Sequence, residues 1–343
     1  MRRLLVLVCV VGLTSSTWAQ DYPKIELKSN NIKMTVYPPD AKTGFYRGSR
    51  FSWAGVLGDV EFAGHKIFHK WKDTHDPKNN DDIIGPVEEY GMQEPLGYAD
   101  AKVGETFLKI GVGELEKVKE EKYRFFHNYK IVNTGLWKVR DHTKEKDVDQ
   151  KVTFRQTIQT KSGYGYHYEK TIQLAGIAPN TPLLILTTRL INIGTKPIET
   201  NVYNHNFFNV DSAPVGAAYG LLLARGQLSV KPAPDSAFGE ACQVKGNNVR
   251  FVRELQKESA FGLIVPEDGP KDFVEMQRFG LRYIPEEKSG IEIIVENSLP
   301  IDKFQFWSIR TTMCPEPFSK LSIEPGDAIE FKTQYRFTQI LRK

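Results

Sequence analysis

Apolar and polar side chains alternate with a period of two through much of this chain, the pattern of strands half-buried in a sheet. Thr153 to Gln159 alternates, Lys161-Ser162-Gly163 supplies a turn, and Tyr164 to Tyr168 with Thr171 to Leu174 runs back, which predicts a β-hairpin. Leu183 to Ile193 is rich in Leu, Ile and Thr and closes on Gly194-Thr195-Lys196-Pro197, after which Ile198 to Phe208 extends again. Gly290 to Glu296, Phe304 to Thr312 and Ile329 to Phe337 share the habit. Helical periodicity is scarce: Gly113 to Glu121 holds helix formers, but Gly135 and the aromatics beyond it exclude a long helix. Turn residues recur at Pro38-Pro39-Asp40, Ala178-Pro179-Asn180 and Glu324-Pro325-Gly326-Asp327. With no fixed-period repeat, the pattern predicts an all-β chain, one large antiparallel β-sandwich domain spanning 21–343.

The stretch from His65 to Gly97 departs from this rhythm. It carries three histidines, the acidic pairs Asp81-Asp82 and Glu88-Glu89, and Pro86 and Pro95. Its expected form is a long irregular loop, lying over a site or decorating the surface.

Residues 1–20 have a different character. Arg2 and Arg3 precede an apolar run from Leu4 to Leu13, and Thr17-Trp18-Ala19-Gln20 offers a small-residue exit, the arrangement of a cleavable secretory signal. The run is too short to span a bilayer as a helix, and no later segment is apolar enough to do so. The expected product is secreted or periplasmic, with no membrane span after cleavage.

Composition narrows the classes. The 343 residues are 40% hydrophobic and 26% charged, which excludes a disordered or collagen-like chain. The net charge is +4, and loss of Arg2 and Arg3 halves it, so electrostatics gives no support to a nucleic-acid partner. Cys242 and Cys314 are the cysteines left in the mature chain, either two separate buried thiols or one disulfide. No Cys-x-x-Cys pair occurs, and His65 and His69 lack the Glu of a His-Glu-x-x-His zinc motif, so no metal is expected.

Three segments could carry chemistry. Tyr46 to Gly55 interleaves Arg47 and Arg50 with aromatics, as a site for polar hydroxyls against a flat apolar face requires. As a strand it would turn the two arginines to opposite faces, leaving one for any pocket and the other for a surface salt bridge. Asn204-His205-Asn206-Phe207-Phe208-Asn209-Val210-Asp211 sets a histidine between amides, suited either to titration near neutrality or to a structural hydrogen bond. Met313-Cys314-Pro315-Glu316-Pro317-Phe318 holds a carboxylate on a stiff backbone in apolar surroundings. Desolvation there would make Glu316 a usable base, while an ion pair with Arg310 would make it structural.

The last two segments are followed by Leu321-Ser322-Ile323-Glu324-Pro325-Gly326-Asp327 and Thr333-Gln334-Tyr335-Arg336-Phe337. In this order they resemble the aldose 1-epimerase (galactose mutarotase-like) superfamily over roughly residues 180–340. Cys314-Pro315-Glu316 is similar to a stretch of its glucose-6-phosphate 1-epimerase branch. The resemblance implies a supersandwich fold without a cofactor, His205 as general acid and Glu316 as general base. Glu316 would take the anomeric proton and His205 would protonate the ring oxygen, so that the sugar opens and recloses on either face. It also implies an early substrate-binding Arg, matched by Arg47 in preference to Arg50. Asn204, Phe207, Asp211, Glu88 and Glu89 complete the expected sugar-binding set.

The chain departs from the family at one place. A second histidine in a His-Gly-Phe-x-Arg stretch is missing, and Gly85-Pro86-Val87-Glu88-Glu89-Tyr90-Gly91 stands there, preceded by His65, His69 and His75. One of those histidines or glutamates fills the role, or the reaction differs. The expectation is an exported, aldose 1-epimerase-like isomerase acting on a small sugar. The alternatives are a non-catalytic carbohydrate-binding protein, and a lyase or other oligosaccharide-active enzyme on the same fold.

Overall fold

The computed structural model describes residues 21–29, 31–145, 150–178, 181–223, 229–232, 236–264, 278–286 and 289–341. The expected signal segment 1–20 and the turn residues Pro179 and Asn180 lie outside these described residues.

The alternating segments become long antiparallel strands in two large sheets. Gln150–Gln159 and Gly165–Ala178 form the expected hairpin, with Gln159 facing Gly165 across the turn. Thr181–Asn192 and Ala328–Ile340 continue the same sheet, which has ten strands in the order 242–245, 248–251, 219–223, 278–283, 290–297, 328–340, 181–192, 165–178, 150–159 and 136–141. The second sheet has six, in the order 229–232, 259–264, 303–309, 312–323, 198–207 and 85–90. Between them Phe154, Ile172, Leu186, Ile293 and Phe337 of the large sheet share one buried cluster with Val202, Phe304, Phe306 and Leu321 of the smaller. Each such side chain withdrawn from water contributes roughly 1.5–3 kcal/mol.

The other face of the six-stranded sheet is also covered. A second cluster, including Phe45, Phe51, Trp53, Phe107 and Tyr129, packs with Val87, Phe207 and Cys314 of that face. A sheet buried on both sides should carry apolar or partnered residues at consecutive positions, and Gly85–Tyr90 is buried at every one. This corrects the expectation of one long loop from His65 to Gly97. His65–Ile67 and Gly85–Tyr90 are strands, and 68–84 between them is the irregular part that reaches over the face. Similarly, Gly113–Glu116 is a strand, and the only helix among the described residues is the four-residue Phe238–Ala241. No helix among them is long and apolar enough to cross a membrane.

The Met313–Phe318 segment lies inside the 12-residue strand Thr312–Ile323 despite its two prolines. Its ladder to the 198–207 strand stops at Tyr203↔Phe318 and returns only as the bridge Phe208↔Met313. Proline has no N–H to give, so the pairing opens where Pro315 and Pro317 stand. Asn206 spans the gap: Nδ2 donates to the Asn204 and Pro315 carbonyls at 3.0 and 2.8 Å, and Oδ1 accepts from the Tyr335 hydroxyl at 2.7 Å. Asn206→Ala strands the Pro315 carbonyl and the Tyr335 hydroxyl in the interior, and should lower unfolding free energy by about 2–4 kcal/mol in urea titrations. A loss below about 0.5 kcal/mol would mean that the amide does not hold the two strands.

Candidate functional site

Strand alternation determines what faces the cap. Along 198–207 the residues on that side are Asn201, Tyr203, His205 and Phe207, and along 312–323 they are Cys314, Glu316, Phe318 and Lys320. Counting the register through the opened ladder puts His205 opposite Glu316, and their side chains meet, Nε2 to Oε1, at 3.1 Å. The next strand adds Lys303, Gln305 and Trp307, all half-buried, with Gln305 directly beside Glu316.

The cap supplies the ceiling. Residues 46–54 are irregular, so the rule that a strand parts Arg47 from Arg50 does not apply. The segment is tied down by Arg47 N to the Pro77 carbonyl at 2.7 Å and Ser52 N to the Glu88 carbonyl at 2.9 Å. Arg50 then points inward, its guanidinium 4.4 Å from the ring centres of both Phe51 and Phe125. Nε donates to Glu89 at 2.8 Å, Nη1 to Asp81 at 2.5 Å and Nη2 to the Tyr203 hydroxyl at 3.2 Å. Glu89 also accepts from Tyr203 at 2.6 Å and from the buried Lys109 ammonium at 3.1 Å. Burial alone would raise the Glu89 carboxyl; Arg50 and Lys109 hold it below the usual range.

Around His205 the walls are aromatic. Phe207 stacks on it at 3.9 Å, Phe51 meets it edge-on at 5.5 Å, and Trp71 stacks in turn on Phe207 at 5.5 Å. His205 and Glu316 are 4% and 6% exposed, dry enough to set their charge states. Burial pushes Glu316 up to about 8, a rise that Glu89 adds to and that Arg50 and Lys303 only partly oppose. Burial, then Arg50, pushes the His205 imidazole well below its ordinary value. At neutral pH the pair is therefore a carboxylic acid and a neutral imidazole, a donor and an acceptor in contact. That is the reverse of the resting state implied by a His acid and a Glu base, and desolvation is the reason. His205 Nδ1 is buried without a hydrogen-bond partner among the described residues.

Of the residues singled out from sequence, Arg50, Glu89, His205, Phe207 and Glu316 gather here. Arg47 does not: its Nη1 donates to the Lys42 carbonyl at 2.7 Å. Asn204 faces the other sheet and donates to Thr333 Oγ1 at 3.0 Å. Glu88 likewise faces the interior, bonded to Thr188 at 2.7 Å and to Tyr168. Asp211 pairs with His65 at 2.7 Å, His69 with Asp59 at 2.6 Å and His75 with Asp82 at 2.8 Å, so the three early histidines are engaged elsewhere. Arg310 pairs with Glu254 at 2.5 Å and not with Glu316. Cys242 and Cys314 are two free, buried thiols.

Solved structures share this architecture end to end. The Slr1438 protein of Synechocystis sp. PCC 6803 superposes with a TM-score of 0.55 at 12% identity, covering 93% of this chain and 96% of its own. A candidate aldose 1-epimerase of Escherichia coli K12 gives 0.53 at 11%, covering 93% and 99%. The GalM/aldose epimerase homologue of C. elegans gives 0.52 at 14%, covering 94% and 100%. The fold is the galactose mutarotase-like β-sandwich. No family model matches the chain, and no curated protein matches it in sequence.

Several site residues carried no sequence signal. Lys109 and Phe125 come from segments remote in sequence, Asp81 was noted only as one of an acidic pair, and Trp71, Tyr203, Lys303 and Trp307 belong to no motif. Alternation alone could have found Tyr203, two positions from His205 on the same side. Among the described residues no group of three or more His, Cys, Asp or Glu is placed to hold a metal ion.

The raised Glu316 carboxyl makes a signed prediction. An unfolded chain releases this proton near 4.5, whereas the folded protein keeps it to about 8. Its contribution is thus full below about 4.5 and is lost as pH rises through about 8. Gln cannot ionise, so Tm of Glu316→Gln minus Tm of the wild type should become more positive from pH 5 to pH 9. A difference independent of pH would rule out a protonated Glu316 at neutrality.

Proposed function

We propose that this chain is an exported aldose 1-epimerase-like isomerase, interconverting the anomers of a sugar by acid–base ring opening at Glu316 and His205. The observation that carries the reading is the pair itself, a proton donor in contact with a proton acceptor on a sheet face walled by aromatic rings. The related fold supports a sugar ligand, and the apolar segment behind Arg2 and Arg3 supports export.

The chemistry balances without a cofactor. Glu316 gives its proton to the ring oxygen as the bond from that oxygen to C1 breaks. His205 takes the proton of the anomeric hydroxyl, whose oxygen becomes the aldehyde carbonyl. Rotation about C1–C2 turns the other carbonyl face to the new hydroxyl. Ring closure returns one proton to Glu316 and the other to the anomeric oxygen. Both groups exchange a proton in each cycle, as oppositely displaced pKa values allow. Arg50, Tyr203 and Glu89 hold the ceiling and the field; because Arg50 is already bonded to Glu89, Asp81 and Tyr203, its role here is positioning.

That same saturation of Arg50, with the burial of His205, favours a second reading, a carbohydrate-binding protein without turnover. Anomer exchange followed by NMR separates the two, using the mature protein with free hexoses, pentoses and uronic acids. Exchange faster than the spontaneous rate, lost in Glu316→Gln, is the expected result; binding with no acceleration would leave the second reading. The rate should fall at least about tenfold from pH 6.5 to pH 9.5 as Glu316 loses its acid proton. A rate that instead climbs through pH 8 would make Glu316 the base.

A further inference from the structure

The sheet face does not end at Glu316. Beyond it along the same two strands lies a cleft of about 520 Å³, lined by Glu199, Asn201, Asp302, Lys303, Phe318 and Lys320 among others. Phe318, two residues from Glu316, forms its near wall and stacks on Tyr203 at 4.1 Å. Lys303 pairs with Phe318 across the ladder, lies over its ring at 5.2 Å, and stands two residues from Gln305, the neighbour of Glu316. Two strand residues advance about 6.6 Å and four about 13 Å, the reach of one further pyranose linked to a ring held at Glu316.

We infer that this cleft is a second sugar subsite, and that the substrate is the reducing end of an oligosaccharide in preference to a free monosaccharide. The inference rests on the sugar chemistry proposed at Glu316. Its volume falls in the range of about 300–1,000 Å³ usual for small-molecule sites. Two polar groups in it make no hydrogen bond or ion pair among the described residues, although the Lys303 ammonium rests over the Phe318 ring. Lys303 makes no ion pair, and the Asn201 side-chain oxygen is buried without a hydrogen bond. One donor and one acceptor on the same wall suit a sugar's hydroxyls, each of which gives and accepts. The charge balance argues against a phosphate in this place. Lys320 is neutralised by Asp302 at 2.7 Å, and Glu94 and Glu199 add negative charge to the lining. The anomeric hydroxyl must be free at Glu316, so the second unit is attached through a different hydroxyl of the first.

The test compares affinities by calorimetry for glucose and for maltose, cellobiose, lactose and melibiose, which all end in glucose. The wild type is measured beside Ser322→Trp and, separately, Lys320→Trp, exposed positions on the cleft wall where an indole would fill the space. At least one disaccharide should bind about tenfold tighter than glucose. Each Trp variant should reduce that advantage to within about twofold while leaving glucose affinity unchanged. Four disaccharides no better than glucose would overturn the inference, as would an advantage that survives both Trp variants. Anomer exchange of glucose, run alongside, keeps the two proposals apart. A disaccharide advantage without accelerated exchange defeats the acid–base reading alone, and accelerated exchange without that advantage defeats the subsite alone.

Discussion

The ion pair between Arg50 and Glu89 is the interaction on which the capped face depends. Both side chains are almost fully buried, and a carboxylate in such a place is tolerated only when its lone pairs are satisfied by charge and hydrogen bonds. Arg50, Lys109 and Tyr203 do this together, and each comes from a different part of the chain. The pair therefore joins the irregular 46–54 segment, the edge strand, the 106–109 strand and the 198–207 strand beside that edge. It also sets the field at Glu316 and His205. Desolvation is the largest influence on each: on Glu316 Arg50 and Glu89 oppose one another, and on His205 Arg50 adds to the lowering by burial. The donor and acceptor states of the site thus follow from a neutralised ceiling, not from a strong local charge.

The adjacent carboxylate shows the same constraint resolved on the opposite side. A pleated strand sends Glu88 away from Glu89, into the space between the sheets. There Tyr168 and Thr188 of the ten-stranded sheet donate to it, Tyr90 does so at 3.3 Å, and the Lys170 ammonium lies 3.8 Å away. One edge strand of six residues is consequently bonded through side chains to the core on one face and to the cap on the other. An edge strand exposes unpaired backbone groups, and here the cap takes up one of them: Ser52 N bonds the Glu88 carbonyl. The position of Glu89 against Arg50 is fixed by backbone and side chain at once.

This arrangement explains what could be seen in the sequence. Alternation in Thr153–Gln159, Leu183–Ile193 and Ile329–Phe337 is a local signal, and these strands stand where the pattern puts them. The strand that carries Glu88 and Glu89 was hidden because a strand buried on both faces has no alternation to show, and two consecutive acids resemble a surface loop. The rule that parts Arg47 from Arg50 was argued for a strand, while the backbone from 46 to 54 follows no regular period and turns Arg50, not Arg47, toward the pair. His205 and Glu316 were legible through their motifs, but their contact depends on pairing between strands more than 100 residues apart. Asn204 shares a motif with His205 yet points elsewhere, since neighbours in sequence on a strand occupy opposite faces, and Asp211 lies past the strand's end in a turn of positive φ.

The prolines on either side of Glu316 join these threads. A regular ladder from Phe318 to Met313 would hold the two strands together through every available backbone pair. Pro315 and Pro317 remove donors in that interval, and the ladder is absent for the four positions where His205 and Glu316 face each other. Asn206 replaces it from the core side with a side-chain amide, leaving the cap side free of backbone crosslinks. The interruption thus lies directly beneath His205 and Glu316, while on either side of it the sheet is closed. The continuous ladder from Tyr203↔Phe318 to Ile198↔Ile323 forms the floor of the adjoining cleft, and the bridge Phe208↔Met313 closes the opposite end. The bridge closes one end of the face and the Phe318 ring stands between the pair and the adjoining cleft at the other, and the gap in the ladder between them originates in two residues that cannot donate a hydrogen bond.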